Sequence, residues 1–129
     1  MTFQPAINEE LAATAIWGSQ HIHLYDPPEI DGVFGLWYGK GPGLDRALDA
    51  IRHANMGGVA KYGGMVLAVG DDATGKSSTL AYQSEQTFIA AGVPFFYPRS
   101  IHDIIPMGLQ AFALSRLAGC CVGMKIVVD

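Results

Sequence analysis

Hydrophobic and polar positions alternate along the second half of the chain in blocks that predict a mixed α/β domain. Continuous apolar runs typical of buried strands occur at Met65–Val69, Val93–Pro98 and Val122–Val128. Helical patterns separate these runs, over Ser77–Ala91 and Ile101–Ala118. The resulting β-α-β-α-β order predicts a mainly parallel sheet with helices on its faces.

The first half of the chain predicts two further helices and one strand. A helix capped by Asn8 extends to about Trp17, with carboxylates in its first turn, where they suit the helix dipole. Gly32–Gly43 starts as a short strand and becomes a glycine-rich loop, and Asp45–Met56 reads as a helix. In the last helix we expect four apolar side chains to face the core: Ile105, Leu109, Phe112 and Leu117.

Composition and charge narrow the class of protein. The 129 residues fit one domain, half of them apolar, and a net charge of −4 without a basic stripe argues against nucleic acid as a partner. No apolar run approaches the ~20 residues that span a bilayer, so we expect no membrane association. Adjacent Cys120 and Cys121 predict buried thiols of a cytoplasmic protein. The final strand pattern reaches the last residues, which predicts a truncated domain of a longer protein.

The segment "GDDATGKS" (70–77) matches the phosphate-binding loop of P-loop NTPases, and it follows an apolar run as that loop requires. The ending "KIVVD" resembles the apolar strand and Asp that hold magnesium in such enzymes. Two features oppose this interpretation. Asp71 and Asp72 would repel a phosphate, and about half the chain precedes the motif. Nucleotide binding therefore stays open as an alternative.

Longer stretches of the sequence indicate a different kind of protein. "NEELAATAIWGSQ", "GVFGLWYGKGPGLDRALDAIRHANMGG", "GGMVLAVGDDATGKSSTLAYQSE" and "FALSRLAGCCVGMKIVVD" resemble consecutive segments of indolepyruvate ferredoxin oxidoreductases, in the 2-oxoacid:ferredoxin oxidoreductase superfamily. The resemblance covers essentially the whole chain and implies the pyrimidine-binding domain of a thiamine diphosphate site. The family usually has a histidine after "GDD", where this chain has Ala73. On this interpretation the likeness to a P-loop is an accident.

The resemblance assigns the key carboxyl group to Glu9. Thiamine diphosphate becomes a nucleophile when a carboxylic acid bonds its pyrimidine ring nitrogen and promotes the imino tautomer that removes the C2 proton. Such a carboxyl group needs an apolar site that raises its pKa. Glu10 and Asp26 are the fallback candidates. Taken from spacing alone, Glu9 and Glu10 also read as ordinary surface charges at a helix start.

By resemblance, further site residues lie in two motifs. Lys40 and Gly41 are expected near the cofactor, where glycine lets the backbone approach a ligand, although an exposed loop is the competing interpretation. Arg52, His53 and Asn55 are expected to anchor the substrate carboxylate or set a loop, although an Arg late in a helix also suits the helix dipole. No metal ligands are predicted, since "HIH" (21–23) lacks a third partner.

The resemblance implies the activity of the whole enzyme. It would oxidatively decarboxylate aryl 2-oxoacids such as indolepyruvate to acyl-coenzyme A and CO₂, with ferredoxin as the electron acceptor. Mg²⁺ and [4Fe-4S] clusters would be bound by the remaining domains or subunits and not by this chain. We expect a homo-oligomer, and an isolated chain without oxidoreductase activity. A non-catalytic interaction domain is the other alternative.

Overall fold

The computed structural model describes residues 1–25, 27 and 29–127, and its centre is a parallel β-sheet. The helices and strands are, in chain order, α1 (Glu9–Ser19), β1 (Phe34–Lys40), α2 (Gly41–Arg46), α3 (Leu48–Gly57), β2 (Gly64–Asp71), α4 (Glu85–Ala91), β3 (Phe95–Phe96), α5 (Ile101–Ala118) and β4 (Cys121–Val127). A short 3-10 turn lies at Ile22–Leu24. The predicted α/β class and parallel sheet are confirmed.

The four strands lie in the order β1-β2-β4-β3, and every pair is parallel. Among the described residues, helices α1 to α4 pack on one face of the sheet, which we call the first face, and only α5 packs on the second face. The first-face core holds Trp37, Ile51, Leu67 and Phe88, all nearly inaccessible to solvent. The second-face core is smaller, because a single helix covers it.

Several element boundaries differ from the prediction. The predicted Gly32–Gly43 strand and loop is a strand to Lys40 followed directly by α2, because Pro42 suits the first turn of a helix. The predicted Asp45–Met56 helix is two helices, α2 and α3, separated at Ala47. The predicted Ser77–Ala91 helix is wrong over its first half, since α4 begins at Glu85.

The predicted inward face of α5 is wrong. Ile105, Leu109 and Leu117 are 75%, 68% and 86% exposed, and only Phe112 of the four predicted side chains is even partly buried. The side chains that pack on the second face are Ile104, Met107, Ala111 and Leu114. The hydrophobic pattern predicted the wrong face because α5 has apolar residues on every side, so its periodicity does not single out one face.

Within the described ranges, no helix has the length and apolar character needed to cross a bilayer. Both cysteines are free thiols; Cys121 is buried, as predicted, whereas Cys120 is only half-buried. Burial raises the pKa of the Cys121 thiol to about 12 and also raises that of Cys120.

Candidate functional site

The strands of a parallel sheet all end at one edge, here called the carboxyl edge, and ligands of open α/β sheets bind outside it. Lys40 ends β1 and Asp71 ends β2 at this edge. α2 begins directly after β1, and Glu9 at the start of α1 packs against Gly43 of α2. The fold therefore brings the predicted residues Glu9, Lys40 and Gly41 to the same edge of the sheet.

Glu9 lies in the contact between α1 and α2. Its side chain is half-buried, and its backbone carbonyl accepts a hydrogen bond from Nε1 of Trp37 at 3.0 Å. A Cβ at Gly43 would lie 2.6 Å from Glu9 Cγ, so glycine is what lets this carboxylate side chain fold down over α2. The fallback candidate Glu10 is exposed, and Asp26 lies outside the described residues.

Lys40 and Gly41 are held by the segment that follows β2. Lys40 Nζ donates to the backbone carbonyl of Ser77 at 2.6 Å and to its Oγ at 3.2 Å. A Cβ at Gly41 would come within 2.0 Å of the Tyr82 ring, which packs directly on that glycine. Burial raises the pKa of Tyr82 to about 12, and the phenol donates to Asp45 Oδ1 at 2.7 Å. These contacts tie β1 and α2 to the segment at 72–83.

The P-loop-like segment at 70–77 does not form a phosphate cradle. The Asp72 carboxylate accepts the backbone N–H groups of Lys76 and Ser78, each at 3.0 Å, and also that of Ser77. These bonds, led by the one from Ser77, hold the pKa of Asp72 below its usual value of 3.8. The amides that would surround a phosphate are thus bonded to the protein's own carboxylate. No helix starts at Ser77 to add its dipole.

A small cavity of about 130 Å³ lies beside this segment at the carboxyl edge. Its lining comprises Lys40, Gly70, Asp71, Asp72, Thr74, Lys76 and Ser77. Ligand pockets for drug-sized molecules span roughly 300–1,000 Å³. The cavity is therefore smaller than a typical ligand pocket.

A buried charge cluster lies on the first face at the same edge. Lys125 Nζ contacts Asp71 Oδ2 at 3.4 Å, hydrogen-bonds Glu85 Oε1, and lies 4.8 Å from the centre of the Tyr97 ring. Asp71 Oδ2 also accepts the backbone N–H of Ser84 at 2.9 Å and its hydroxyl at 3.1 Å. The cluster fixes the start of α4 against β2 and β4.

The charges of this cluster shift two of its pKa values. The hydrogen bond from Lys125 lowers the pKa of Glu85 below its ordinary 4.5. Burial lowers the pKa of Lys125, but its hydrogen bond with Glu85 and the charges of Glu85 and Asp71 outweigh that and raise it above 10.5. In the part of the chain that the structure describes, Asp71 Oδ1 and Glu85 Oε2 are buried without a hydrogen-bond partner. The cluster carries two carboxylates for one ammonium group.

The predicted substrate residues Arg52, His53 and Asn55 lie apart from the carboxyl edge. Asn55 Oδ1 accepts the N–H of Cys121, the first residue of β4, at 3.0 Å, so this part of α3 lies at the opposite edge of the sheet. β1 is seven and β2 eight residues long, which separates the two edges by roughly 20 Å. The structure does not bring these three residues to Glu9 or Lys40.

All three hydrogen bonds of the Asn55 side chain are made with backbone groups. Besides accepting from Cys121, its Nδ2 donates to the carbonyls of Ala91 at 3.2 Å and Gly92 at 3.0 Å. Asn55 thereby joins the end of α3 to the end of α4 and the start of β4. Arg52 and His53 are exposed, and His53 Nδ1 lies 2.9 Å from the backbone carbonyl of Asp49.

The two histidines of "HIH" pack around an indole ring. Trp17 Nε1 donates to His21 Nε2 at 2.7 Å, and the His21 and His23 rings are 5.7 Å apart. The His53 ring lies 5.9 Å from that of Trp17. Across residues 1–25, 27 and 29–127, no three His, Cys, Asp or Glu side chains converge as metal ligands would.

Comparison with known proteins returned no match, whether the chain was compared with family models, with curated proteins or with solved structures. The resemblance to indolepyruvate ferredoxin oxidoreductases therefore stays a prediction. The charge cluster was not predicted from the sequence, although a signal was present. Lys125 interrupts an apolar strand pattern, and a charged residue buried in a strand requires a partner of opposite charge.

Proposed function

We propose that this chain forms the aminopyrimidine half of a thiamine diphosphate site in an aryl 2-oxoacid:ferredoxin oxidoreductase. The observation that carries the proposal is the placement of Glu9, half-buried over Gly43 next to the carboxyl edge of a parallel sheet. Open α/β sheets bind their ligands at this edge. The resemblance of the surrounding motifs supplies the identity of the cofactor.

The residues present fit the pyrimidine end of that cofactor. Thiamine diphosphate, once bound, supplies a nucleophilic carbon that attacks the 2-oxoacid. Glu9 would hold a proton at its carboxyl group and share it with the pyrimidine ring nitrogen. The hydrogen bond from Trp37 to the Glu9 carbonyl fixes the first turn of α1, so the carboxyl group starts from a set position. Lys40 would border the ring from the end of β1, whereas Gly41 is buried beneath the Tyr82 ring and would only hold α2 in place.

The rest of the reaction is proposed for other parts of the enzyme. Mg²⁺, the diphosphate site and the [4Fe-4S] clusters would belong to further domains or subunits, with coenzyme A and ferredoxin as the partners of the whole cytoplasmic enzyme. The isolated chain would then bind the pyrimidine without turning over a 2-oxoacid. The P-loop alternative receives less support, because Asp72 already holds the amides of Lys76, Ser77 and Ser78.

Binding of the free aminopyrimidine tests the proposal. We would titrate the ¹⁵N-labelled chain with 4-amino-5-hydroxymethyl-2-methylpyrimidine and follow amide and indole shifts by NMR. A half-site without the diphosphate contacts is expected to bind weakly, in the millimolar range. Shifts should concentrate at Glu9, Gly43 and the Trp37 indole N–H. Glu9→Gln should weaken binding and reduce them, because its amide donates only a neutral hydrogen bond to the ring nitrogen and cannot share a proton with it.

Glu10→Gln is the matched control, since it removes the neighbouring, exposed carboxylate and should leave binding unchanged. Equal binding by wild type and Glu9→Gln, or shifts centred on Glu10, would contradict the assignment of Glu9. A parallel titration with Mg-ATP and Mg-GTP tests the alternative function, nucleotide binding by a P-loop. Nucleotide binding that disappears in Lys76→Ala would favour the P-loop function instead.

A further inference from the structure

Helix α5 carries more apolar surface than this chain covers. Two of its 18 residues, Asp103 and Arg116, are charged, and helices that are apolar all round are buried in their native context. Here α5 packs one side on the second face of the sheet. Ile101, Ile105 and Leu109 are 77%, 75% and 68% exposed along one flank. The spacing of four residues aligns them along the helix.

The strand next to that flank is also uncovered. Phe34, Leu36 and Tyr38 occupy alternate positions of β1 and are 57%, 50% and 66% exposed. Alternate residues of a strand share one face, and the Phe34 ring packs edge-on against Phe112 of α5 at 5.4 Å, which places these side chains on the second face. A helix about 10 Å wide covers about two strands spaced ~4.8 Å apart. α5 therefore leaves β1 open.

The exposed residues of β1 and α5 line a groove, here called the β1–α5 groove. Its floor is Phe34, Leu36 and Tyr38, and its wall is Ile101, Ile105 and Leu109. Phe112, which follows Leu109 by three residues on the same side of the helix, joins wall to floor through its contact with Phe34. None of the six side chains is charged. Arg116, four residues after Phe112, is held at the end of the helix by a hydrogen bond from its Nε to the backbone carbonyl of Lys61.

The size of the groove approaches that of one side of a stable protein interface. From their exposed fractions, the six residues present roughly 700 Å² of accessible surface. The largest apolar patch of a typical monomer covers about 300–600 Å², whereas a standard interface buries about 800 Å² on each partner. The groove thus exceeds an ordinary surface patch and approaches the area that one partner of a standard interface buries.

We propose that the β1–α5 groove is occupied by α5 of a second copy of this chain, in a two-fold symmetric dimer. In the described part of each chain, β1 lacks a covering helix on the second face and α5 has surplus apolar surface. A two-fold axis places each α5 over the β1 floor of its partner, so that the open strand and the exposed side of the helix are both covered. The two helices would lie side by side between the two sheets, with Leu109 of one chain over Leu36 of the other. This inference does not depend on the proposed function.

The test is the mass of the 129-residue chain in solution, measured by light scattering after size exclusion at micromolar concentration. We expect twice the 13.8 kDa of one chain. Leu109→Glu and Leu36→Lys should each give 13.8 kDa, because a charge then meets an apolar surface twice per dimer. An equimolar mixture of the two variants should regain the dimer mass, since the carboxylate of one chain then meets the lysine of the other. Ile89→Glu, at an equally exposed apolar position on α4, should stay dimeric.

Three results would overturn the proposal. They are a monomeric wild type, a Leu109→Glu variant that remains dimeric, and variants that fail to associate when mixed. A monomer that sediments with vesicles of phosphatidylcholine and phosphatidylglycerol would identify a lipid surface as the occupant instead. Circular dichroism checks that each variant is folded. Tyr38→Lys, on the same floor, replaces Leu36→Lys if the latter loses its secondary structure.

Discussion

Asn55 offers a direct way to separate a structural role from a role in substrate binding. Its side chain makes three hydrogen bonds to backbone, from Nδ2 to the carbonyls of Ala91 and Gly92 and from the N–H of Cys121 to Oδ1. Asn55→Ala removes all three. It leaves the N–H of Cys121, a fully buried residue at the start of a central strand, without a partner.

The expected loss follows from that burial. An unsatisfied buried N–H group costs about 1–3 kcal/mol, whereas the two carbonyls, nearer the surface, lose bonds worth about 1 kcal/mol each and regain water. We therefore expect Asn55→Ala to lower the free energy of unfolding by about 2–4 kcal/mol. For a chain of 129 residues this corresponds to a fall in Tm of about 10 °C.

Urea denaturation followed by tryptophan fluorescence and by circular dichroism measures this loss. Arg52→Ala and His53→Ala are the matched controls, because they change the same motif at exposed positions, and each should stay within about 0.5 kcal/mol of wild type. If Asn55→Ala also stays within about 0.5 kcal/mol, the structural role derived from the three bonds is refuted. Substrate binding would then again be the favoured role for Asn55.

Three further predictions concern the charge cluster and the central strand. Lys125→Met should lower the free energy of unfolding by about 3–5 kcal/mol in urea titrations, because it leaves buried carboxylates without their cation. Since the pKa of Glu85 is lowered, its contribution to stability is present above pH 4.5 and is lost as the pH falls through its folded-state pKa. The urea midpoint should therefore decline over this pH range. In Lys125→Met the midpoint should depend less on pH. Gly123→Ala should cost about 1–3 kcal/mol, because its Cβ would lie 2.6 Å from the Phe88 ring, whereas Gly18→Ala, with open space around it, should not destabilise.

The strands at the centre of the sheet were predictable, and the face of the longest helix was not. β2 is buried on both faces, so its sequence is a continuous apolar run that reads as a strand without any periodicity. α5 also has apolar residues on every side, but a helix signals its inner side only by contrast with polar residues. The prediction therefore found α5 and placed Ile105, Leu109 and Leu117 on the wrong side of it.

The segment after β2 shows why a motif of correct letters did not predict its geometry. The pattern at 70–77 specifies glycines, a lysine and a serine, but not which group the backbone amides bind. Asp72 lies close enough in sequence to accept those amides itself, and Gly75 adopts φ +68°, which lets the chain turn back toward it. Local hydrogen bonding thus competes with the helix that the pattern predicted from Ser77.

The position of the predicted site residues follows from chain direction. β1 ends at Lys40, and α3 then returns across the first face before β2 begins, so residues late in α3 reach the edge where the strands start. Lys40 and Asn55 are close in sequence but lie at opposite edges of the sheet. The sequence motifs around them could not show this, because a helix of ten residues spans about 15 Å along the sheet.

The two proposals use opposite faces of the sheet, so one variant tests whether they are independent. Glu9 packs against α2 on the first face, whereas the β1–α5 groove lies on the second, on the far side of β1 from Trp37. A dimer formed through the groove would leave Glu9 as accessible as it is in one chain. The monomeric Leu109→Glu variant should therefore show the same aminopyrimidine shifts as wild type. Loss of these shifts in a folded, dissociated variant would mean that the pyrimidine site needs the second copy, because α5 and Glu9 lie on opposite faces of the sheet.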